Sequence, residues 1–413
     1  MKNISVSTNG SIIEDSILFG QFGWPEYEPD MTFNGNLISS ALREVLLEKC
    51  SISKTLPSEQ WWKEKWKKNS PLHLLVRDYL NHPSIQFNSR SIFLSCLETL
   101  EKIKSNINEK GEIDILLPVF CVISNWQKRH DITSLTMAEE VSLLHLANIS
   151  IYLEKNTGVR IRFNILSDAT FYAGIFGDPM DAAEQYIEDL KDFTHVRKID
   201  EIVNILDISE IVALFQGDYD RALSKHLKTF TLDPSFGISH EEAIRFNASV
   251  GSTVNISDLS LTYNQKKSIF CDSIFPDLAI KHEIMNRVHS AFIQYRAMKE
   301  AMASIQWEKR LFPNAIRATI HHKTIPVIGI RIYPGYKNYS PHLPYHGIAV
   351  IEQRNNVWRM SIEQEIQQHG KRLRIINSRG VSDFYVDTDT LEDMEDLLSK
   401  SNFNGSQNNI FSL

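Results

Sequence analysis

Cysteine is scarce in this 413-residue chain: there are four, Cys50, Cys96, Cys121 and Cys271, and no two stand at the close spacing of a zinc knuckle. That scarcity excludes a disulfide scaffold and leaves them as reduced side chains of a cytoplasmic protein. Long apolar runs are also missing. No window approaches the roughly 20 apolar residues that a membrane span requires. The N-terminal MKNISVSTNGSIIEDSILFG has no unbroken apolar core behind its basic start, so neither insertion nor export is expected. Positive charge is in deficit: 44 Lys and Arg against 51 Asp and Glu give a net charge of -7 and a pI near 6.1. A general nucleic-acid or anionic-membrane surface needs the opposite balance, so neither partner is expected.

What is present is a chain long enough to bury a full core, with an ordinary 42% of hydrophobic residues. One large domain with an appendage is the expected organisation. Residues 1–105 read as an irregular arm followed by a helical appendage, residues 106–390 as an α/β domain, and residues 391–413 as a polar C-terminal tail ending in SNFNGSQNN. Lys104 to Glu112 reads as the linker. In the appendage, Ser58 caps the helix SEQWWKEKWKKN, with Glu59 in its first turn. Trp62 and Trp66 stand four apart among lysines, which reads as a docking face with the lysines in solvent.

From Ile113 to Ser124 the run IDILLPVFCVIS is almost continuously apolar, as in a strand buried on both faces of a parallel sheet. Thr136 with Glu139 three residues on forms a capping box for a helix reaching about Lys155, which Asn156 and Gly158 stop. The strand Val159 to Leu166 alternates Arg160, Arg162 and Asn164 with Ile161, Phe163 and Ile165, the pattern of a strand nearer an edge than its predecessor. GDPMDAAEQYIEDL opens another helix, with Asp178 as cap and Pro179 at its first position. Strand, helix, strand, helix predicts a Rossmann-like sheet, mostly parallel or mixed, with flanking helices and ligands at the carboxyl ends of its strands. Asn125, Lys128, Arg129, Ser167 and Asp168 fall at such ends. Lys198 to Asp277 shows helical stretches and polar loops without a repeat. Lys281 to Arg310 reads as a long helix, and the strands that follow read as completing a mixed sheet.

Two further stretches end strands on polar residues. In IRATIHH, Ile316 to His322, alternation puts Arg317, Thr319 and His321 on one face and Ile316, Ala318 and Ile320 on the other. PYHG follows at Pro344 to Gly347. His322 faces away from His321, and Tyr186 and Tyr295 read as helix packing.

The order of these motifs resembles the isocyanide synthases of the pyoverdine and dityrosine biosynthesis family: LPVF with SN and KR, SLTMAEEVSLLHL, SDATF, FPNAIRATIHH, PYHG and RGVSDFYVD, over roughly Ile113 to Asp387. The resemblance implies condensation of the amine of an amino acid, tyrosine or tryptophan in kind, with ribulose 5-phosphate, whose C2 supplies the isocyanide carbon. It implies no metal and no organic cofactor, and an iron and 2-oxoglutarate dependent oxygenase as pathway neighbour. Imine formation needs an acid and a base, roles open to His321, His346 and Asp168. Arg317, Lys128 and Arg129 would cradle the phosphate, with Asn125, Ser167, Thr319 and Tyr345 lining the site. For Asp168 a loop cap stands open beside the acid role.

Departures from the family pattern are specific. Where its members read FPFKSPN, this chain has FCVISNW, which puts Ile123 at the lysine position. SDG becomes SDA at Ala169, adding a methyl where backbone freedom or ligand room is expected, and PWHG becomes PYHG at Tyr345. Two alternatives therefore stay open: a divergent enzyme of the same fold acting differently on an amino acid or sugar phosphate, and a non-catalytic binding protein.

Overall fold

The computed structural model describes residues 36–51, 56–68, 70–86, 96–120, 135–251, 253–262, 265, 277–320, 327–334, 348–352, 357–361, 366, 372–376 and 382–402. Helices α1 (Ser40–Ser51), α2 (Glu59–Trp66), α3 (Leu72–Leu80) and α4 (Leu97–Lys110) come first. They lead into β1 (Glu112–Pro118), α5 (Met137–Thr157), β2 (Arg160–Ser167), α6 (Ala169–Phe176), α7 (Met180–Val196) and β3 (Val203–Asp207). A helical stretch follows, with α8 (Ile208–Leu214), α9 (Gln216–Leu232), α10 (His240–Gly251), α11 (Leu278–Ser304) and α12 (Trp307–Leu311). The chain then returns to strands β4 (Ile316–Thr319), β5 (Ile328–Gly329), β6 (Ile348–Glu352), β7 (Val357–Ser361), β8 (Arg372–Ile376) and β9 (Ser382–Asp387), and α13 (Thr388–Asn402) follows.

Five strands form a parallel sheet in the order β3-β2-β1-β4-β5. The apolar β1 lies at its centre, with Ile115 opposite Phe163 on β2 and Ile316 on β4. Burial on both faces explains why its sequence does not alternate. The strand order reverses direction between β1 and β4, the switch point at which open α/β sheets bind ligands.

β2 lies between β1 and β3, one place nearer an edge than the central β1, as its polar alternation predicts. Its polar groups are satisfied across the sheet: Asn164 Nδ2 donates to Asp114 Oδ1 at 3.3 Å, and Asn164 Oδ1 accepts from Asn204 Nδ2 at 3.1 Å. Arg160 pairs with Glu154 at 3.0 Å where the strand begins. The outer strand β3, VNILD, is too short and too mixed to stand out within Lys198 to Asp277.

The last strands build a separate four-stranded sheet, β7-β6-β9-β8, in place of completing one mixed sheet. Helix α5 lies between the two layers, packing on β2 and α1 and touching β6 and β9. From Met137 to Ser150 it is buried on nearly every side, polar residues included, while Ile151 is 43% exposed and Lys155 reaches solvent. Val141, Leu146, Ile149 and Leu153 lie in the main core. Gly158 ends it in the left-handed conformation, φ 74°.

The N-terminal helices are part of this packing. Trp62 is buried, stacks on Tyr79 with ring centroids 5.4 Å apart and meets Trp61 edge-on, while Trp66 stays 45% exposed. The Tyr79 hydroxyl donates to Ile149 O of α5 at 2.7 Å. Lys104 to Glu112 is not a linker: most of it belongs to α4, whose Thr99, Ile103 and Asn106 are buried, and the 105/106 boundary falls inside that helix. At the other end α13 occupies 388–402, and Leu391 and Met394 join the core, so part of the polar tail segment is packed helix.

His145, on α5, is fully buried, and neither ring nitrogen has a partner among the described residues. Burial, and next the charge of Arg331, push its pKa down to about 3. The unfolded chain binds a proton near 6.5 that the folded chain refuses, so stability present above that pH is lost as pH falls below it. His145→Leu is expected to be neutral or stabilising, since it removes an unsatisfied buried group. It should also flatten the acid side of a melting-temperature profile between pH 5 and 8.

Candidate active site at the carboxyl edge of the parallel sheet

β1, β2 and β4 are neighbours running in one direction, so their carboxyl ends meet at one edge. Ser167 closes β2; it is buried, and its hydroxyl donates to Phe120 O at 2.7 Å, while Val119 N donates to Leu166 O at 3.1 Å. Phe120 itself has φ 66°, a left-handed conformation that costs about 1–3 kcal/mol in a bulky residue. The Ser167 bond therefore pins a strained turn just where the chain leaves β1 for the switch point. Strain of this kind, held by surrounding structure, marks functional edges.

Asp168 follows, half-buried, with its backbone carbonyl accepting from Tyr172 N at 3.0 Å. Its side chain makes no capping bond to α6, so the capping alternative is not the observed geometry. Thr319, buried, ends β4 at the same edge. Arg317 lies two residues lower, opposite Leu116, and pairs with Glu308 of α12. The fold thus gathers Ser167, Asp168 and Thr319 at one edge, with Arg317 below them and engaged with a carboxylate. Asn125, Lys128, Arg129, His321, His322, Tyr345, His346 and Ile123 lie outside the described residues.

Ala169 is the first residue of α6, in helical conformation and fully buried in the main core. Its methyl is accommodated by packing, and no left-handed backbone requires glycine there. Ala169→Gly is expected to cost about 1–2 kcal/mol in urea denaturation, through helix propensity and a lost core methyl.

The N-terminus of α5 carries a second group of polar side chains. Glu139 accepts from Thr136 N at 3.0 Å and from the Thr136 hydroxyl, completing the expected capping box, and also accepts from the Tyr186 hydroxyl at 3.4 Å. Beside it, Arg43 of α1 donates to Glu140 Oε2 at 2.7 Å and to Asp383 of β9 at 2.6 and 3.0 Å. Asp383 Oδ1 also accepts from Met137 N at 2.8 Å. Glu139 is legible in the sequence as a cap, whereas Arg43, Glu140 and Asp383, with Arg43 and Asp383 340 residues apart, carry no local signal of their meeting.

Two carboxylates share the single Arg43 guanidinium. Burial pushes the Glu140 carboxyl up to about 7, against the opposing pull of Arg43. Between about 4.5 and 7 the folded chain then holds a proton that the unfolded chain has released. That contribution to stability is present at low pH and lost as pH rises through 7, opposite in sign to the one from His145. Glu140→Gln is expected to abolish this decline, measured as melting temperature against pH beside the parent.

A cleft of about 420 Å³ opens next to this edge, where β2 and β3 end, lined by Thr170, Phe171, Gly174, Ile175, Met180, Glu184, Asp207, Ser209 and Met298. Asp207 ends β3 and caps α8: its Oδ1 accepts from Ser209 N at 2.9 Å and from the Thr170 hydroxyl at 2.8 Å. The sequence signal for this position was Asp207 with Glu210 three residues on, an acid-led capping pattern after a short apolar run. Among the described residues no group of three or more His, Cys, Asp or Glu side chains could hold a metal ion, and no helix is long and apolar enough to cross a membrane.

A family model described as pyoverdine/dityrosine biosynthesis protein matches residues 103–373. The crystal structure of the PvcA protein from Pseudomonas aeruginosa is similar in fold, with a TM-score of 0.51 and 16% identity, covering 84% of this chain and 99% of that one. No curated protein matches the chain.

Proposed function

The chain belongs to the pyoverdine/dityrosine biosynthesis family, and on that premise we propose that it is an isocyanide synthase-like enzyme joining the amine of an amino acid to ribulose 5-phosphate. The observation that carries this reading is the meeting of the family motifs at one sheet edge: LPVF, SDATF and IRAT belong to or follow β1, β2 and β4, which are adjacent and parallel. In the proposed chemistry the amine nitrogen attacks the C2 ketone, and a proton delivered to the carbonyl oxygen lets water leave as the imine forms. Asp168, His321 and His346 are the proposed acid and base groups. Lys128, Arg129 and Arg317 are the proposed phosphate donors, with Asn125, Ser167, Thr319 and Tyr345 around the substrates. An iron and 2-oxoglutarate dependent oxygenase would be the pathway neighbour, and the cytoplasm the location.

Arg317 stands against Glu308 with its Nη1 buried and making no hydrogen bond among the described residues, so this ion pair and the proposed phosphate role compete for one guanidinium. Incubating the purified protein with ribulose 5-phosphate and an amino-acid pool, with a tetrazine trap and mass spectrometry, tests the main reading. A trapped adduct is the expected result, and silence from folded protein across all proteinogenic amino acids rejects it. On the resulting assay, Arg317→Ala is expected to raise the KM for the sugar phosphate at least tenfold with a smaller change in kcat. Glu308→Gln breaks the same ion pair from the other side and should leave KM unchanged or lower it. Equal losses in both variants would reduce Arg317 to a structural partner.

A further inference from the structure

We propose that the cleft at the ends of β2 and β3 is a binding site for a primary amine with an apolar body and no carboxylate beside the nitrogen. The assignment stands on the cleft alone and goes beyond the reading above.

Its walls are Phe171, Ile175, Met180 and Met298, and methionine pairs of this kind mould to rings and chains of varied outline. Its volume, about 420 Å³, falls in the range of small-molecule sites. Gly174 leaves the wall open on one side: a Cβ built there would come no nearer than 3.9 Å to Met180 Cε. Met180 is 44% exposed and lines the cleft on its solvent side.

The polar end is anionic. Asp207 is only 7% exposed, and its Oδ1 is committed to Ser209 N and the Thr170 hydroxyl. Those two donors fix the carboxylate while Oδ2 accepts from no described residue. Asp207 is one of the residues that line the cleft. Glu184 contributes a second carboxylate, from α7, that is likewise unpaired among the described residues, and no basic side chain belongs to the lining. An oriented buried carboxylate, a second acid and apolar walls select an ammonium group on an apolar body through charge-assisted hydrogen bonds. A carboxylate next to that nitrogen would enter a site with no cation to receive it, so a zwitterionic amino acid is disfavoured.

Isothermal titration of the full chain with 2-phenylethylamine, phenylalanine, 2-phenylethanol and 3-phenylpropionate tests this. The amine is expected to bind at least tenfold more tightly than the other three. Asp207→Asn, which keeps the helix cap and the Thr170 bond, should weaken the amine at least tenfold, and Glu184→Gln about threefold. Gly174→Leu fills the cleft without changing charge, and should abolish binding while circular dichroism stays that of the parent. Absence of amine binding at millimolar concentration, equal affinity for the alcohol or for phenylalanine, or indifference to Asp207→Asn and Gly174→Leu would each overturn the proposal. Because the readout is binding, its failure is separate from failure to form an isocyanide.

Discussion

Burial of α5 on nearly every side from Met137 to Ser150 is the constraint on which the rest of the structure depends. A helix segment buried on nearly every side needs cover from several directions, and no single sheet supplies it. The parallel sheet takes one side, α1 another, and β6 and β9 of the second sheet also touch it. The N-terminal helices are therefore part of the core and not an ornament on it, as the stacking of Trp62 on Tyr79 and the Tyr79 bond to Ile149 O show.

The same enclosure sets the polar chemistry at the N-terminus of α5. Glu139 and Glu140 stand where the helix begins, at the carboxyl end of β1, and once the helix is covered they are taken out of water with it. Buried carboxylates require partners. Thr136 and Tyr186 serve Glu139, while Arg43 reaches in from α1 to serve Glu140 and Asp383 together. One guanidinium thereby joins the appendage, the central helix and the second sheet beside the candidate site. The edge is stiffened on its other flank by the Ser167 bond to Phe120 O, which holds the turn leaving β1.

Much of the fold was legible in the residues because local physics wrote it there. The unbroken apolar run predicted β1 as an interior strand, the Thr136 and Glu139 pair predicted where α5 starts, and Gly158 where it stops. Ser167 and Asp168 were read as strand-end residues, where the structure places them, because period-two alternation and turn residues mark such ends directly. What was not legible depends on how the chain packs. The polar alternation of β2 placed it nearer an edge than β1, but gave no hint that Asp114 and Asn204 would satisfy Asn164 from the strands on either side. Arg317 looked like an available anion donor because its approach to Glu308, although close in sequence, depends on how α12 turns back onto β4.

The sequence by itself determined the α/β class, the order of its elements and the motif series that assigns the family, since each rests on residues within a few positions of one another. Only the tertiary structure decided that the last strands form a second sheet, that the N-terminal helices complete the core, and that Arg43, Glu140 and Asp383 form one ion cluster. The cleft lined by Asp207, Glu184 and two methionines belongs to the same class of fact. Periodicity and capping are local, whereas burial and charge pairing depend on which distant surfaces meet, and those meetings exist only once the chain is packed.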